Sequence, residues 1–329
     1  MVSKIKWGIL ATGDIARKFA TGLQLLPDAE IIAVGSRSQK GADEFAGKFG
    51  IPHRHASYEA LANDPEVEVI YVATPNSLHK DNCLMCLEAG KAVVCEKPFM
   101  VNAHEATLVA NVARKLQKFL MEAMWTRFIP AVQQARAWVD SGEIGEVRMV
   151  EAGFGYREEK STTAVDHALA GGSLLDVGVY PLAIADLAFG RPPERIASFA
   201  HVAHGIDEQA AFILGYSGGG LALLHSAVRT RTFSDAHIMG DQGMIRLHGP
   251  FWRSQKVSLL KPGRDELMVD CPITGNGYNY EAAAVMDCLR SGNLEHPLMP
   301  LSKTIEIMEI MDEIRDQWGL YYPMETRHG

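Results

Sequence analysis

The chain has 329 residues, 47% of them hydrophobic, enough for two domains of about 150 residues to bury a core each, which excludes a disordered or fibrous chain. Forty acidic against 32 basic residues give a formal charge of −8 with the signs interspersed, leaving no basic face for a nucleic-acid partner. No apolar run approaches the roughly 18 residues that span a bilayer, and Asp14 and Arg17 interrupt the N-terminal run before it could act as a signal segment, so a soluble, cytoplasmic protein is expected.

Residues 4 to 11 form a short apolar run, Thr12-Gly13 a turn, and Asp14 to Leu25 a helical pattern. The unit recurs. Glu30–Ser36 leads into a helix ending at Phe49, Val67–Ala73 into a helix over Asn76–Ala89, and Lys91–Cys95 into a helix from Ala103, with Phe119–Ala123 closing the series. Strands alternating with helices predict α/β architecture, a Rossmann-type doubly wound parallel sheet over residues 1–123. Beyond Ala123 the rhythm changes. A helix over Ile129–Ser141 precedes a β-rich Glu146–Tyr156, and a second helical region covers Ser173–Phe189. Between Glu194 and Leu260, period-two runs at Gln209–Tyr216, Leu221–Arg229, Ala236–Met239, Met244–Leu247 and Lys256–Leu260 predict an open, largely antiparallel sheet. Helices over Tyr280–Ser291 and Ser302–Trp318 end the chain, so residues 124–329 are expected to form an α+β domain with an open sheet. The five cysteines are scattered, with Cys83, Cys86 and Cys95 in apolar-periodic segments, and all read as reduced thiols.

The first turn carries the pattern Ala11-x-Gly13-x-x-Ala16 of a dinucleotide fingerprint. Gly13 lets the backbone approach a pyrophosphate, Ala16 lets helix pack on strand, and the helix start offers free N–H groups. Thr12, Asp14 and Ile15 complete the turn, and alanine stands in place of the first glycine. At the end of the second strand, Ser36-Arg37-Ser38 offers hydroxyls and a guanidinium where an NAD-preferring site would place an acid. That composition suits a 2′-phosphate and predicts NADP over NAD, against the plainer reading of Arg37 as a solvated surface charge.

Three groups are candidates for the chemistry. Cys95-Glu96-Lys97-Pro98 ends a strand where ligands lie in open α/β sheets, and a cis Pro98 would aim Lys97 into the crevice. Thr74-Pro75-Asn76, with His79 three residues on, would border the nicotinamide, unless His79 only packs on its helix. In the segment Gly171 to Tyr180, Asp176 and Tyr180 are four apart and share a helix face, the glycine pair leaves room for substrate, and Pro181 should perturb the helix. A phenol serves as base only beside a cation, for which Lys97 is available.

Together the Ala11–Ala16 turn, Ala73-Thr74-Pro75-Asn76, Glu96-Lys97-Pro98 and the Gly-Gly-x-Leu-x-Asp-x-Gly-x-Tyr segment resemble the glucose-fructose oxidoreductase, inositol dehydrogenase and MocA family over essentially the whole chain. Met121 to Phe128 and Glu281-Ala282-Ala283 look most like its branch of dimeric dihydrodiol dehydrogenases and NADP-dependent D-xylose dehydrogenases. The resemblance implies Lys97 and Tyr180 at the catalytic centre with Asp176 beside the substrate, and tyrosine rather than histidine at 180 argues against the inositol dehydrogenase branch. Cofactor contacts are then expected from Ala11, Thr12, Gly13, Asp14, Ile15, Ser36, Arg37, Thr74, Pro75, Asn76, His79, Glu96, Lys97 and Trp125. Substrate contacts are expected from Trp125, Arg127, Phe154, Asp176, Tyr180 and Trp252, with Tyr156 and Phe251 as further walls. The implied activity is hydride exchange between NADP and a secondary alcohol or carbonyl of a sugar or cyclic diol, by a homodimer formed through the open face of the second sheet. The resemblance thus assigns substrate binding and oligomerisation to residues 124–329. Two other readings compete. A non-catalytic dinucleotide sensor has no need of the lysine and tyrosine, and a short-chain dehydrogenase would place lysine where Ile184 stands. No metal is expected, since His53 and His55, like His201 and His204, lack a cysteine or acid at ligand spacing. Cys83-x-x-Cys86 reads as helix packing rather than a redox or zinc pair.

Overall fold

The computed structural model describes residues 3–158 and 162–325. The chain divides into two compact units, residues 1–125 with 274–305, and residues 126–273 with 306–329. The expected division after residue 123 differs from this in the returning segment, whose helix Tyr278–Ser291 packs on the first helix of the nucleotide unit. Asn276 donates its side-chain amide to the Lys18 carbonyl at 2.7 Å and Arg290 pairs with Asp28 at 2.6 Å, contacts between residues more than 250 apart that no local pattern announces.

In the first unit, β1 (Ile5–Leu10), α1 (Asp14–Leu23), β2 (Ala29–Gly35), α2 (Gln39–Phe49), β3 (His53–His55), α3 (Tyr58–Ala62), β4 (Val69–Val72), α4 (His79–Glu88), β5 (Ala92–Glu96), α5 (Ala103–Leu116) and β6 (Leu120–Ala123) follow in order. The sheet is parallel throughout, ordered β3-β2-β1-β4-β5-β6. Strands β4, β5 and β6 are buried at every residue, as a sheet covered on both faces requires. The order reverses between β1 and β4, and the carboxyl ends there carry Ala11, Thr74 and Lys97, where an open α/β sheet binds its ligand. The sequence reading omits β3 and α3, because His-Arg-His has no apolar alternation and α3 is five residues held by its Ser57 cap.

In the second unit, α6 (Pro130–Asp140), β7 (Val147–Gly155) and α7 (Val179–Phe189) precede β8 (Arg195–Ala203), β9 (Ile206–Gly215), β10 (Leu221–Ala227), β11 (Ala236–Gly240), β12 (Met244–Leu247), β13 (Lys256–Leu260) and β14 (Leu267–Asp270). The returning helix, α8 (Tyr278–Ser291), and α9 (Leu301–Trp318) end the chain. The eight strands run β14-β13-β12-β11-β7-β10-β9-β8, antiparallel except for the parallel pair β7/β10. The edge strands β8 and β14 went unread, since β8 alternates only between exposed and half-buried residues and β14 has no buried residue. Helix α6 lies on β12 and β13 and α7 on β7. Val150, Phe212, Leu214, Ala222 and Leu224 are buried, while Met149, Ile213, Leu221, Leu223 and Phe199 are exposed, Phe199 by 85%. All five cysteines are free and buried. Among the described residues no helix is long and apolar enough to cross a membrane.

Candidate active site

Each unit carries its own share of the candidate residues. At the end of β1, Ala11 sits at φ +84°, the left-handed region where a β-carbon is strained, and its amide donates to the Gly35 carbonyl at 2.9 Å. Alanine thus takes the conformation for which the fingerprint uses glycine, a local strain at a candidate binding turn. Gly13 is the N-cap of α1 with no side-chain cap, and a β-carbon built on it would meet nothing within 4 Å. The space beside Gly13 is therefore open and the start of α1 carries no side-chain cap, which fits close approach of a pyrophosphate. Asp14 is turned outward into a 2.9 Å ion pair with Arg17, so its contribution to the turn is its backbone rather than its carboxylate. After β2, the buried Ser36 donates its amide to the His55 carbonyl at 3.0 Å, and Ser38 caps α2 by accepting from the Gly41 amide at 3.2 Å. Arg37 is exposed and, among the described residues, has no hydrogen-bond or ion-pair partner.

At the ends of β4 and β5 the expected cofactor contacts divide. Thr74 is buried and Pro75, Asn76 and Lys97 are half-buried, with the Lys97–Pro98 peptide cis. His79, expected among the cofactor contacts, has no exposed surface in this structure. Its Nε2 lies 2.9 Å from the Thr74 carbonyl and its Nδ1 2.9 Å and 3.2 Å from the carbonyls of Pro98 and Phe99, so it ties the end of β4 to the Glu-Lys-Pro loop. Burial holds its pKa below the ordinary histidine value against those carbonyls. Glu96 also faces inward: the Tyr71 hydroxyl donates to one oxygen and the Lys97 amide to the other, at 3.1 Å, so its carboxyl holds the loop. Trp125 is buried with its ring stacked on Tyr278, centroids 4.7 Å apart.

Burial pushes Glu96 up to about 7 against the Tyr71 hydrogen bond. Glu281 on α8 is fully buried, its two oxygens have no partner among the described residues, and burial with Glu96 beside it raises its pKa well above the carboxylate range. A folded carboxyl that keeps its proton after the unfolded chain has released it loses stability as pH rises above the unfolded value, about 4.3, toward the raised folded one. Glu281→Gln imitates the protonated form, so the variant's stability relative to wild type should climb with pH, by up to about 1.4 kcal/mol per unit, in thermal melts run from acid to alkaline pH. A difference that stays flat, or falls, across that range would contradict this protonation state.

In the second unit the expected helix over Ser173–Phe189 is a π-helical turn, Leu174–Gly178, running into α7. The wide turn directly precedes Pro181, the perturbation that a proline without N–H predicts. The glycine pair serves the protein itself rather than leaving room for substrate. Gly172 is at φ +134°, and a β-carbon there would lie 2.2 Å from Asp207 Oδ1, while the Gly171 carbonyl accepts from the Tyr322 hydroxyl at 2.6 Å. Asp207, unmarked by any motif, is buried and accepts from the Ser173 hydroxyl and the Leu174 amide, both at 2.7 Å, so a buried acid anchors the segment that carries Asp176 and Tyr180. Burial lifts Asp207 to about 6 in spite of these bonds. Asp176 accepts from the Tyr156 hydroxyl at 2.7 Å, and burial and the Asp176 charge together raise the Tyr156 phenol. Tyr180 is buried, 5.6 Å from Phe154 between ring centroids, and Phe154 is stacked on Trp252 at 3.5 Å with the rings 6° from parallel. These five side chains form one cluster within the unit. Arg127, expected among the substrate contacts, is buried in a 2.5 Å ion pair with Asp186 of α7.

Comparison with known proteins agrees with this architecture. Residues 5–124 match the oxidoreductase family with an NAD-binding Rossmann fold, and residues 132–246 match the GFO/IDH/MocA C-terminal domain. The chain is 37% identical over 335 residues to trans-1,2-dihydrobenzene-1,2-diol dehydrogenase of Mus musculus, covering 98% of this chain and 99% of that one. Among solved structures, aldose-aldose oxidoreductase from Caulobacter crescentus superposes with a TM-score of 0.87 at 23% identity, covering 96% of this chain and 98% of that one. A 3-ketoreductase from Actinomadura kijaniata, solved with NADP, superposes with a TM-score of 0.83 at 24% identity, covering 95% and 97%. At these identities the two structures speak for the fold.

Proposed function

We propose, from the premise that the chain belongs to the GFO/IDH/MocA oxidoreductase family and is an NAD(P)-dependent dehydrogenase, that it oxidises a secondary alcohol on a ring bearing neighbouring hydroxyls, a trans-dihydrodiol or an aldopyranose, with NADP. The observation that carries this reading is the near-full-length similarity to a dihydrodiol dehydrogenase, joined to tyrosine at the end of Asp-x-Gly-x-Tyr. When bound, NADP accepts the hydride. Tyr180 takes the hydroxyl proton, Lys97 favours the phenolate and holds the reacting oxygen, and Asp176, fixed by Tyr156, orients the adjacent hydroxyl. The stacked Phe154 and Trp252 supply a flat wall for the ring. Incubation with NADP and a panel of trans-dihydrodiols and aldoses, followed by the absorbance of the reduced nicotinamide and by product analysis, tests the reading. Reduction with none of them would overturn it.

The preference for NADP rests on the exposed, unpartnered Arg37 beside Ser36 and on the missing acid. Arg37→Ala should weaken NADP binding about tenfold to a hundredfold, the loss of one charge-assisted bond, and leave NAD binding unchanged. Titration of protein fluorescence with each cofactor checks this, and an unchanged NADP-to-NAD ratio removes Arg37 from the site.

The exposed apolar face bearing Phe199, Ile213, Leu221 and Leu223 supports a homodimer closed through the second sheet. Sedimentation should give a dimer at micromolar concentration, and Leu223→Glu a monomer that still binds NADP. A wild-type protein that sediments only as monomer would contradict this.

A further inference from the structure

The histidines of β3 meet the acid that local spacing withheld. His53 and His55 are two apart on an edge strand, so their side chains share a face. Across α3 the chain returns to place Asp64 against both: its Oδ2 lies 2.6 Å from His53 Nδ1 and 2.9 Å from His55 Nε2, and the three donor atoms all fall within 4.8 Å of one another.

We propose that His53, His55 and Asp64 bind a divalent transition-metal cation of the zinc class, one per chain, at the edge of the nucleotide-binding sheet. Two imidazoles and one carboxylate are a donor set for Zn²⁺, Ni²⁺ or Cu²⁺ and a poor one for Mg²⁺ or Ca²⁺, which take oxygen ligands. Ligands about 2.0–2.2 Å from a zinc ion stand a little over 3 Å apart, so a shift of under about 1 Å exchanges the hydrogen-bonded arrangement for the coordinated one.

The surroundings are those of a built site. Asp64 is nearly fully buried, its Oδ1 accepts from the Glu66 amide at 3.0 Å, and its carbonyl and that of Val67 accept from Lys91 Nζ at 2.6 Å and 2.8 Å, so the acid cannot swing away. The second nitrogen of His53, Nε2, is 3.6 Å from Glu66 Oε1, and the other oxygen of Glu66 pairs with Lys6 at 2.6 Å, so an outer carboxylate stands on the far side of the imidazole, where a small shift would bring it into hydrogen-bond reach. The rings of His53 and His55 keep 34% and 23% of their side-chain surface exposed, leaving a path for the ion and a coordination position for water. Bound there, the cation would pin the edge strand to the loop after α3.

The test is calorimetric titration of the full-length protein, in a chelator-free and thiol-free buffer, with ZnCl₂ and separately with MgCl₂. The expected result is one saturable Zn²⁺ site with no Mg²⁺ response, weakened at least about tenfold in each of His53→Gln and His55→Gln while NADP binding is unchanged. Wild-type protein that binds no Zn²⁺ at millimolar concentration, or variants that bind as wild type does, would overturn the site. Should the variants fail to fold, zinc-edge X-ray absorption of the wild type decides: a first shell of nitrogen and oxygen with imidazole scattering supports the assignment, and a sulfur-containing shell places the ion on a cysteine and overturns it.

Discussion

Tyr180→Phe is expected to lower turnover by about 10²–10⁴-fold and leave NADP binding unchanged, because it removes a transferable proton and nothing that holds the cofactor. The ring itself should stay in place. Tyr180 is buried against Phe154, and phenylalanine keeps the ring that makes this contact. Steady-state kinetics beside a cofactor titration separate these outcomes. A variant with wild-type single-turnover rates would remove Tyr180 from proton transfer and direct attention to Lys97.

Under the proposed mechanism Lys97→Met should be at least as damaging, since it would remove both the charge proposed to favour the phenolate and the hydrogen bond proposed to the reacting oxygen. The two variants differ in their pH profiles. In the oxidation direction the wild-type rate should rise with pH through one ionisation, and in Lys97→Met the residual rate should rise through an ionisation displaced upward, because a phenol without a neighbouring cation is the weaker acid. Measured over the alkaline limb, an ionisation that stays in place or moves down would mean that Lys97 does not act through Tyr180.

The two-unit plan and the carboxyl-edge motifs were legible because they are local. A strand, a small-residue turn and a helix repeat at short range, so the turn at Ala11–Ala16 and the Glu96-Lys97 loop are readable from local sequence alone. What escaped the sequence lies in contacts across long separations and in burial. The apolar face of α8 can be read locally, but its packing on α1 cannot, so the sequence groups the returning segment with residues 124–329 while its contacts lie with the first unit. Sequence marks His79, Glu96 and Arg127 by their motifs, whereas their loop-tying and ion-pairing contacts depend on burial and on partners distant in sequence. The converse holds for Asp207, an acid that no motif marks, and for Glu281, whose segment shows a family likeness but not its burial. The glycine pair at 171–172 misled for a related reason: absence of a side chain signals close approach, and the approaching groups, Asp207 and Tyr322, are distant in sequence. Tyr180 and Asp176 were legible because their motif is contiguous, whereas the Tyr156 hydroxyl that fixes Asp176 arrives from β7 and its following residue, 20 positions away.

The most direct measurement follows the hydrogen itself. With a trans-dihydrodiol or aldose carrying deuterium on the carbon that bears the reacting hydroxyl, and NADP as oxidant, the reduced cofactor should be recovered with one deuterium and the first turnover should be slowed by the label. Reduced cofactor without deuterium, or none formed from any labelled ring alcohol by protein that binds NADP, would contradict the account.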